Sequence, residues 1–224
     1  MTIETVSFAV DGLLLDCDGV LVDSHDAAAV AWNQWAKRWA PGFDFHRDIE
    51  HGRRISDLVA ELISNPSDVA TAVAELTQHE IDYATNVDEM PGARQLLDSC
   101  PDGSWAVVTS GNRALATARM ASAGLPSAAV LVTSEDVANG KPFPDPYVTA
   151  AQRLHLAPTR CAAFEDAPAG VESARNAGVV TIIGVGAEVA AAPVTLAVAD
   201  MRGVRFDGSR LDIERSSILP QTEV

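Results

Sequence analysis

Two carboxylates directly follow a short apolar segment near the start of the chain. Residues 13–15 are three leucines, which predicts a strand buried on both faces, and Asp16 and Asp18 come immediately after them. Because side chains alternate along a strand, the two carboxylates point the same way, and their repulsion favours a cation between them. Oxygen ligands suit a hard divalent ion, so the segment predicts a Mg²⁺ site beside Gly19, which allows close approach to the backbone. An Asp-rich turn after a strand is the alternative interpretation.

A second group of polar residues follows the apolar run 105–109. Ser110 brings a hydroxyl, and Gly111 and Asn112 lead into a predicted helix. A hydroxyl, free backbone amides and a helix N-terminus together form an anion site. The alternative is a plain helix cap by Ser110 or Asn112.

Charged residues mark two later segments. Lys141 lies among three prolines, which limit the entropy lost when its ammonium is fixed in place, whereas a lone lysine is ordinarily a solvated surface charge. Glu165 and Asp166 end the apolar run 161–164, so a pair of acids again follows a predicted strand. A helix-capping Asp166 with a solvated Glu165 is the alternative.

The segment DCDGVLVDS, residues 16–24, resembles the first motif of the haloacid dehalogenase-like (HAD) phosphohydrolase superfamily. The three later segments match the other motifs of that family in the same order, and the resemblance extends from about residue 8 to about residue 200. It implies that Asp16 is a nucleophile that forms an aspartyl-phosphate and that Asp18 is a general acid/base. The expected reaction is Mg²⁺-dependent hydrolysis of a small phosphate monoester.

The resemblance also implies roles for the later motifs. The implied catalytic residues are Asp16, Asp18, Ser110 and Lys141, with Lys141 neutralising the nucleophile and the phosphoryl oxygens. The implied phosphate-binding residues are Gly19, Ser110, Gly111, Asn112 and Lys141. The implied metal ligands are Asp16, the main-chain carbonyl of Asp18, and Asp166. Glu165 is implied either as a further ligand or as a hydrogen-bond acceptor for groups that coordinate the metal.

The elements around these motifs predict an α/β fold with an inserted helical cap. Residues 25–86 show only helical periodicity and form the predicted cap domain. Residues 1–24 and 87–224 form the predicted catalytic core, in which strands and helices alternate from residue 90 onward. Such alternation favours a doubly wound, mostly parallel sheet with helices on both faces, which is the Rossmann-like core of the HAD family. Ligands bind beyond the carboxyl ends of such strands, where each motif falls.

Several local features are expected within these regions. Ser24 is a candidate cap for a helix to about residue 40, and Ser56 is a candidate cap for another helix. Trp32, Trp35 and Trp39 recur at helical spacing, which is typical of core packing. Residues 204–211 alternate around Asp-Gly and predict a hairpin.

The loop at residues 51–54 is the predicted source of substrate specificity. By resemblance, caps of this type close over the site and contribute groups from such a loop, which here carries His51, Arg53 and Arg54. Cations ahead of a helix are electrostatically unfavourable, which indicates another purpose for the arginines, although solvent exposure of at least one is the alternative. The loop resembles that of glycerol-phosphate and sugar-phosphate phosphatases, so a small polyol or sugar phosphate is the expected substrate.

Two other functions compete with a phosphatase. A phosphomutase of the β-phosphoglucomutase type shares all four motifs, but this chain has Ala28 where that enzyme has a histidine and Ile55 where it has a cap arginine. Both departures favour hydrolysis. A catalytically silent protein that binds phosphate and Mg²⁺ would have lost the nucleophile or the acid/base, and both aspartates are present. Asp18 also counts against dehalogenase and phosphonate-cleaving relatives.

Composition limits the partners of the chain. Its formal charge of −15 over 224 residues disfavours nucleic acids and anionic membranes, so a small phosphorylated metabolite is the expected partner. The longest apolar runs are too short to cross a bilayer, and residues 1–4 lack the basic region of a signal peptide, so we expect a cytoplasmic protein. A monomer or a weak homodimer is expected. Cys17, Cys100 and Cys161 are expected to be free thiols, with Cys17 a packing residue.

Overall fold

The computed structural model describes residues 4–220. Residues 1–3, on which part of the cytoplasmic prediction rests, and residues 221–224 lie outside the described part. The strands are β1 (Thr5–Ala9), β2 (Gly12–Leu15), β3 (Val22–Asp23), β4 (Asp88–Glu89), β5 (Trp105–Val108), β6 (Val130–Val132), β7 (Cys161–Glu165), β8 (Thr181–Val185), β9 (Leu196–Val198), β10 (Val204–Phe206) and β11 (Arg210–Glu214). The α-helices are α1 (His25–Trp39), α2 (Phe45–Asp48), α3 (Ile55–Leu62), α4 (Val69–Tyr83), α5 (Ala93–Ser99), α6 (Arg113–Ser122), α7 (Asp145–Arg153) and α8 (Pro168–Asn176). None of these helices is long and apolar enough to span a membrane.

A parallel sheet with strand order β6-β5-β2-β7-β8-β9 forms the centre of the molecule. Leu13 and Leu15 of β2 pack in the hydrophobic core on one face of the sheet, and Leu14 packs in the core on the other face. Strands β5 and β6 lie on one side of β2, and β7 lies on the other side. The loops that follow β2 and its two neighbours therefore separate at the carboxyl edge of the sheet and leave a crevice there. The predicted doubly wound sheet is confirmed.

The four helices between residues 25 and 86 have a hydrophobic core of their own. Trp32 and Trp35 are buried there, as their spacing predicts, and the indole of Trp35 donates a hydrogen bond of 2.9 Å to the carbonyl of Ala72 across the α1–α4 contact. The antiparallel strands β3 and β4 pair where the chain leaves the core and returns to it. The exact limits of the cap domain stay a prediction.

Both predicted helix caps are wrong, and the predicted hairpin is confirmed. Ser24 precedes α1 but makes no capping hydrogen bond, and Ser56 lies inside α3, whose N-cap is Arg54. The hairpin 204–211 is confirmed as β10 and β11. However, β1 was not expected as a strand, and it pairs with β11 to make a separate three-stranded antiparallel sheet.

Candidate active site

The carboxylates of Asp16, Glu165 and Asp166 converge at the carboxyl edge of the sheet. Leu15 of β2 is paired with Phe164 of β7, so the residues that follow them emerge side by side. The amide of Asp16 donates a hydrogen bond of 3.1 Å to the carbonyl of Phe164, which fixes this register. One carboxylate oxygen from each of the three acids lies within 4.8 Å of the others. Two adjacent parallel strands therefore gather three oxygen ligands at one point.

Lys141 is a buried partner of these acids and not a surface charge. Its Nζ lies 2.8 Å from Oδ1 of Asp16 and 2.6 Å from Oε1 of Glu165, and the residue is 2% exposed. The hydroxyl of Tyr147, on α7, donates a hydrogen bond to the same Glu165 oxygen. The ammonium is consequently held against the proposed nucleophile.

The local electrostatics favour a further cation. Burial, together with the charge of Glu165, raises the pKa of Asp16 to about 7, although Lys141 opposes this shift. Burial and then Asp16 raise the pKa of Asp166 well above its usual value. Burial opposes the charge of Lys141, but Asp16 and Glu165 raise its pKa above the ordinary lysine value. One ammonium does not balance two buried carboxylates and a third that is partly buried.

The donor set fits a hard divalent ion such as Mg²⁺. All three acids offer oxygen, the ligand that this ion prefers. Oε2 of Glu165 is buried and has no hydrogen-bond partner among the described residues, so it has free coordinating capacity. The acidic cluster can therefore hold a metal ion.

Gly19 is required by the packing around Asp166. Its φ of +73° lies in the left-handed region, and a Cβ at this position would stand 1.9 Å from Oδ2 of Asp166. A side chain here would therefore displace the Asp166 carboxylate.

Asp18 has one carboxylate oxygen held by the protein and one oxygen free. Oδ1 accepts hydrogen bonds from Oγ of Ser24 at 2.5 Å and from Nη1 of Arg119 at 2.9 Å. Oδ2 accepts none from residues 4–220. Ser24 thus orients Asp18 and does not cap α1, which corrects the sequence-based expectation.

The predicted anion site after β5 is partly engaged by the protein itself. The hydroxyl of Ser110 donates a hydrogen bond of 2.6 Å to the carbonyl of Gly52 in the cap loop. The amide of Gly111 donates to the side chain of Thr109 at 3.0 Å. Asn112 caps α6 by accepting from the amide of Leu115 at 2.8 Å, which agrees with the capping alternative. Ser110 and Gly111 line the cavity, and Asn112 is not among the residues that line it.

A cavity of about 140 Å³ lies between the carboxylates and the cap. Its catalytic-side walls include Asp16, Asp18, Gly19, Ser110, Lys141 and Asp166. Its cap-side walls include Trp32, Phe45, His51, Arg53, Leu58 and Glu80. The cap loop thus closes over the predicted site, and Trp32 has a cavity-lining position besides its packing role.

The cap-loop side chains fall into two groups. His51 and Arg53 line the cavity, and burial, followed by the nearby His25, lowers the pKa of His51. Arg53 is engaged in ion pairs with Glu50 at 2.8 Å and Glu61 at 2.5 Å.

Arg54 does not line the cavity. Its guanidinium donates to the carbonyls of Val137 and Ala138 at 3.0 and 3.1 Å, just ahead of the segment that carries Lys141. The structure therefore does not bring Arg54 to the predicted site and gives it a contact between cap and core instead.

Two residues of this site were missed by the sequence reasoning. Arg119 on α6 and Glu80 on α4 are buried charged side chains in the cavity wall. Arg119 lies among small and apolar residues of α6, whereas Glu80 lies near the end of α4 and follows the buried Ala72 and Leu76 at four-residue spacing. Only the placement of a charge on an otherwise apolar helix face could have indicated either residue.

Comparisons with known proteins agree with this geometry. The family model of haloacid dehalogenase-like hydrolases matches residues 10–178. Hexitol phosphatase A of Escherichia coli K12 is 40% identical over 171 residues, which cover 75% of this chain and 79% of that protein. Glycerol-1-phosphate phosphohydrolase 2 of Saccharomyces cerevisiae is 32% identical over 193 residues, which cover 80% of this chain and 76% of the yeast protein.

A solved structure shows the same fold at lower identity. The β-phosphoglucomutase of Clostridium difficile superposes with a TM-score of 0.75 at 18% identity, over 88% of this chain and 94% of that one. The family model spans most of the chain and includes all four motifs. The chain therefore belongs to the haloacid dehalogenase-like hydrolase family.

Proposed function

We propose that this protein is a Mg²⁺-dependent phosphatase that hydrolyses a small polyol or sugar phosphate through an aspartyl-phosphate. The observation that carries the proposal is the contact of Asp16 with Lys141 at 2.8 Å, in a cavity that is also lined by Asp18 with one free oxygen. Nucleophile, neutralising cation and acid/base are then available to the same phosphate group.

Asp16 attacks the phosphorus of the monoester in line and expels the alcohol. The attack of an anion on a dianion requires positive charge nearby, and Lys141 is already held against the attacking carboxylate. Asp16, the main-chain carbonyl of Asp18, Glu165 and Asp166 would hold Mg²⁺, which supplies further positive charge for the phosphoryl oxygens.

Asp18 handles the protons of both half-reactions. Its free Oδ2 donates a proton to the departing alcohol and then takes one from the water that hydrolyses the aspartyl-phosphate. Ser24 and Arg119 hold Oδ1, so the side chain keeps one orientation through both steps.

The size of the cavity and the relatives support a small substrate. A volume of about 140 Å³ accommodates a phosphate and a short alcohol when the cap is closed. Hexitol phosphatase A and glycerol-1-phosphate phosphohydrolase 2, by their names, act on polyol phosphates. We therefore place the substrate in the polyol and sugar phosphate class.

The alternatives have less support. Ala28 and Ile55 line the cavity at the positions where a mutase of the β-phosphoglucomutase type carries a histidine and an arginine. Neither of these apolar side chains has a polar group that could hold a sugar phosphate while it reorients within the site. A silent binding protein would not need a free acid/base oxygen next to a paired nucleophile.

Phosphate release from p-nitrophenyl phosphate tests the proposal. We expect release by the wild-type protein, its loss in EDTA and its recovery with Mg²⁺. Asp16→Asn should lower kcat by at least about 10³-fold, because it removes the nucleophile. Equal release by both proteins would mean that a contaminant is responsible and would leave the silent-binder alternative standing.

A further inference from the structure

A buried ion pair extends the site from the acid/base into the cap. Arg119 and Glu80 are each 5% exposed, and both line the cavity. Nη1 of Arg119 donates to Asp18 at 2.9 Å, and Nη2 lies 3.4 Å from Oε1 of Glu80. A single guanidinium therefore separates the carboxylate that protonates the leaving oxygen from a second carboxylate on the cap.

Glu80 is held at one oxygen and has accepting capacity at the other. The indole of Trp32 donates to Oε1 at 3.1 Å, and Arg119 approaches the same atom. Oε2 accepts no hydrogen bond from residues 4–220. Because Glu80 lines the cavity, this open carboxylate oxygen is available to accept a hydrogen bond from a hydroxyl of a molecule bound there.

The two arginines of the cap loop that were predicted to recognise substrate are already engaged. Arg53 is held by Glu50 and Glu61, and Arg54 is held by backbone carbonyls. A recognition role for either arginine would first require these contacts to break. Glu80 requires no such change.

We propose that Glu80, fixed by Arg119 and Trp32, recognises the hydroxyl groups of the leaving alcohol and thereby selects polyol and sugar phosphates over simple alkyl phosphates. The inference rests on the proposed phosphatase function. Asp18, which protonates the alcohol oxygen, and Glu80, which accepts a hydrogen bond from a hydroxyl of the same alcohol, contact the two ends of one guanidinium. The ligand class is an ester whose alcohol carries hydroxyls close to the phosphate.

Matched pairs of substrates separate hydroxyl recognition from catalysis. Glycerol 1-phosphate and n-propyl phosphate share a carbon skeleton and the bond that breaks, and glucitol 6-phosphate and n-hexyl phosphate form a second pair. The measured quantity is the ratio of kcat/KM within each pair. For the wild type we expect at least one ratio to exceed about 100, because sites built to bind a hydroxyl discriminate strongly against its absence.

Glu80→Gln replaces one oxygen with an amide while keeping the size of the side chain. We expect this variant to lower the larger ratio at least 10-fold, because kcat/KM should fall more for the polyol phosphate than for the alkyl phosphate. Glu80→Asp keeps the charge beside Arg119 but withdraws the carboxylate, and it should lower the same ratio. It also tests the proposal if the glutamine variant fails to fold.

Glu75→Gln is the matched control. Glu75 lies on the same helix and accepts from Arg38 at 2.8 Å and from the indole of Trp39 at 2.9 Å, but it does not line the cavity. The control should leave both ratios unchanged.

Three results would overturn the inference. These are unchanged ratios in both Glu80 variants, an equal loss for polyol and alkyl phosphates, and a wild type that does not distinguish the members of either pair. A wild type that releases phosphate from none of these esters and none from p-nitrophenyl phosphate would instead refute the proposed function.

Discussion

Asp16→Asn should stabilise the metal-free protein at neutral pH while abolishing its activity. In the folded protein, burial and Glu165 raise the pKa of Asp16 from 3.8 to about 7. A group whose pKa is raised by folding contributes stability below its unfolded pKa and loses that contribution as the pH rises through its folded pKa. Without metal, ionisation of the buried Asp16 therefore lowers the free energy of unfolding progressively between about pH 4 and pH 7.

The size of the effect follows from the pKa. Each pKa unit corresponds to about 1.4 kcal/mol, so the full rise corresponds to about 4 kcal/mol. Asparagine has no charge to bury, and Glu165, whose Oε1 lies 2.6 Å from Nζ of Lys141, remains as a partner for the ammonium. We expect the unfolding free energy of the variant, minus that of the wild type, to increase by about 3 kcal/mol between pH 4.5 and pH 7.5.

Urea unfolding in EDTA, followed by tryptophan fluorescence, measures this difference. Taking the difference between two proteins cancels the contributions of titrating groups that do not interact with Asp16, and leaves those of Asp16 and of its coupled neighbour Asp166. Addition of Mg²⁺ at pH 7.5 should stabilise the wild type more than the variant, because one ligand has been lost. A difference that is the same at both pH values would refute the argument that Asp16 is ionised against its neighbours.

Three further predictions concern residues around the cavity. Gly19→Ala should weaken Mg²⁺ binding at least 10-fold by calorimetry, because its Cβ would displace Asp166, whereas Gly178→Ala, with a similar positive φ and open space, should not. Arg54→Ala should lower kcat/KM to a similar extent for all phosphate esters, since its contacts join cap and core, and a loss confined to one ester would contradict this. Ser24→Ala should lower kcat more for alkyl phosphates than for p-nitrophenyl phosphate, whose leaving group needs little protonation, and equal losses would argue against orientation of Asp18.

The convergence of Asp16 with Glu165 and Asp166 could be predicted from the sequence because the geometry of a parallel sheet leaves little freedom. Asp16 and Glu165 each end a buried strand, and adjacent parallel strands necessarily bring such ends together. The three prolines around Lys141 indicated a fixed ammonium, and the order of the motifs indicated its role, but neither could show that the side chain is buried. Its burial depends on Tyr147 and Glu165, which meet it only in the folded chain.

Contacts at the boundary between the cap and the core could not be predicted from strand geometry. Asp18 and Arg119 are 101 positions apart, and Arg119 and Glu80 are 39 apart, so no local period relates them. Ser24 shows a different limit, because a serine before a helix has two possible partners and the nearby Asp18 carboxylate prevails over the helix amides. Strand β1 was missed because β11, with which it pairs, lies about 200 residues further along the chain.

The distribution of buried charge links these residues into one functional unit. Among residues 4–220, the buried charged side chains are Asp16, Glu80, Arg119, Lys141, Glu165 and Asp200, and all except Asp200 belong to the site. Burying an ion pair contributes little net stability, and apolar residues of similar size often serve a fold equally well. Stability therefore gives no reason to place an arginine between two carboxylates at the meeting of cap and core. The position of Arg119, bonded to Asp18 at one end and facing Glu80 at the other, is explained when proton transfer and recognition of the leaving alcohol take place in the same cavity.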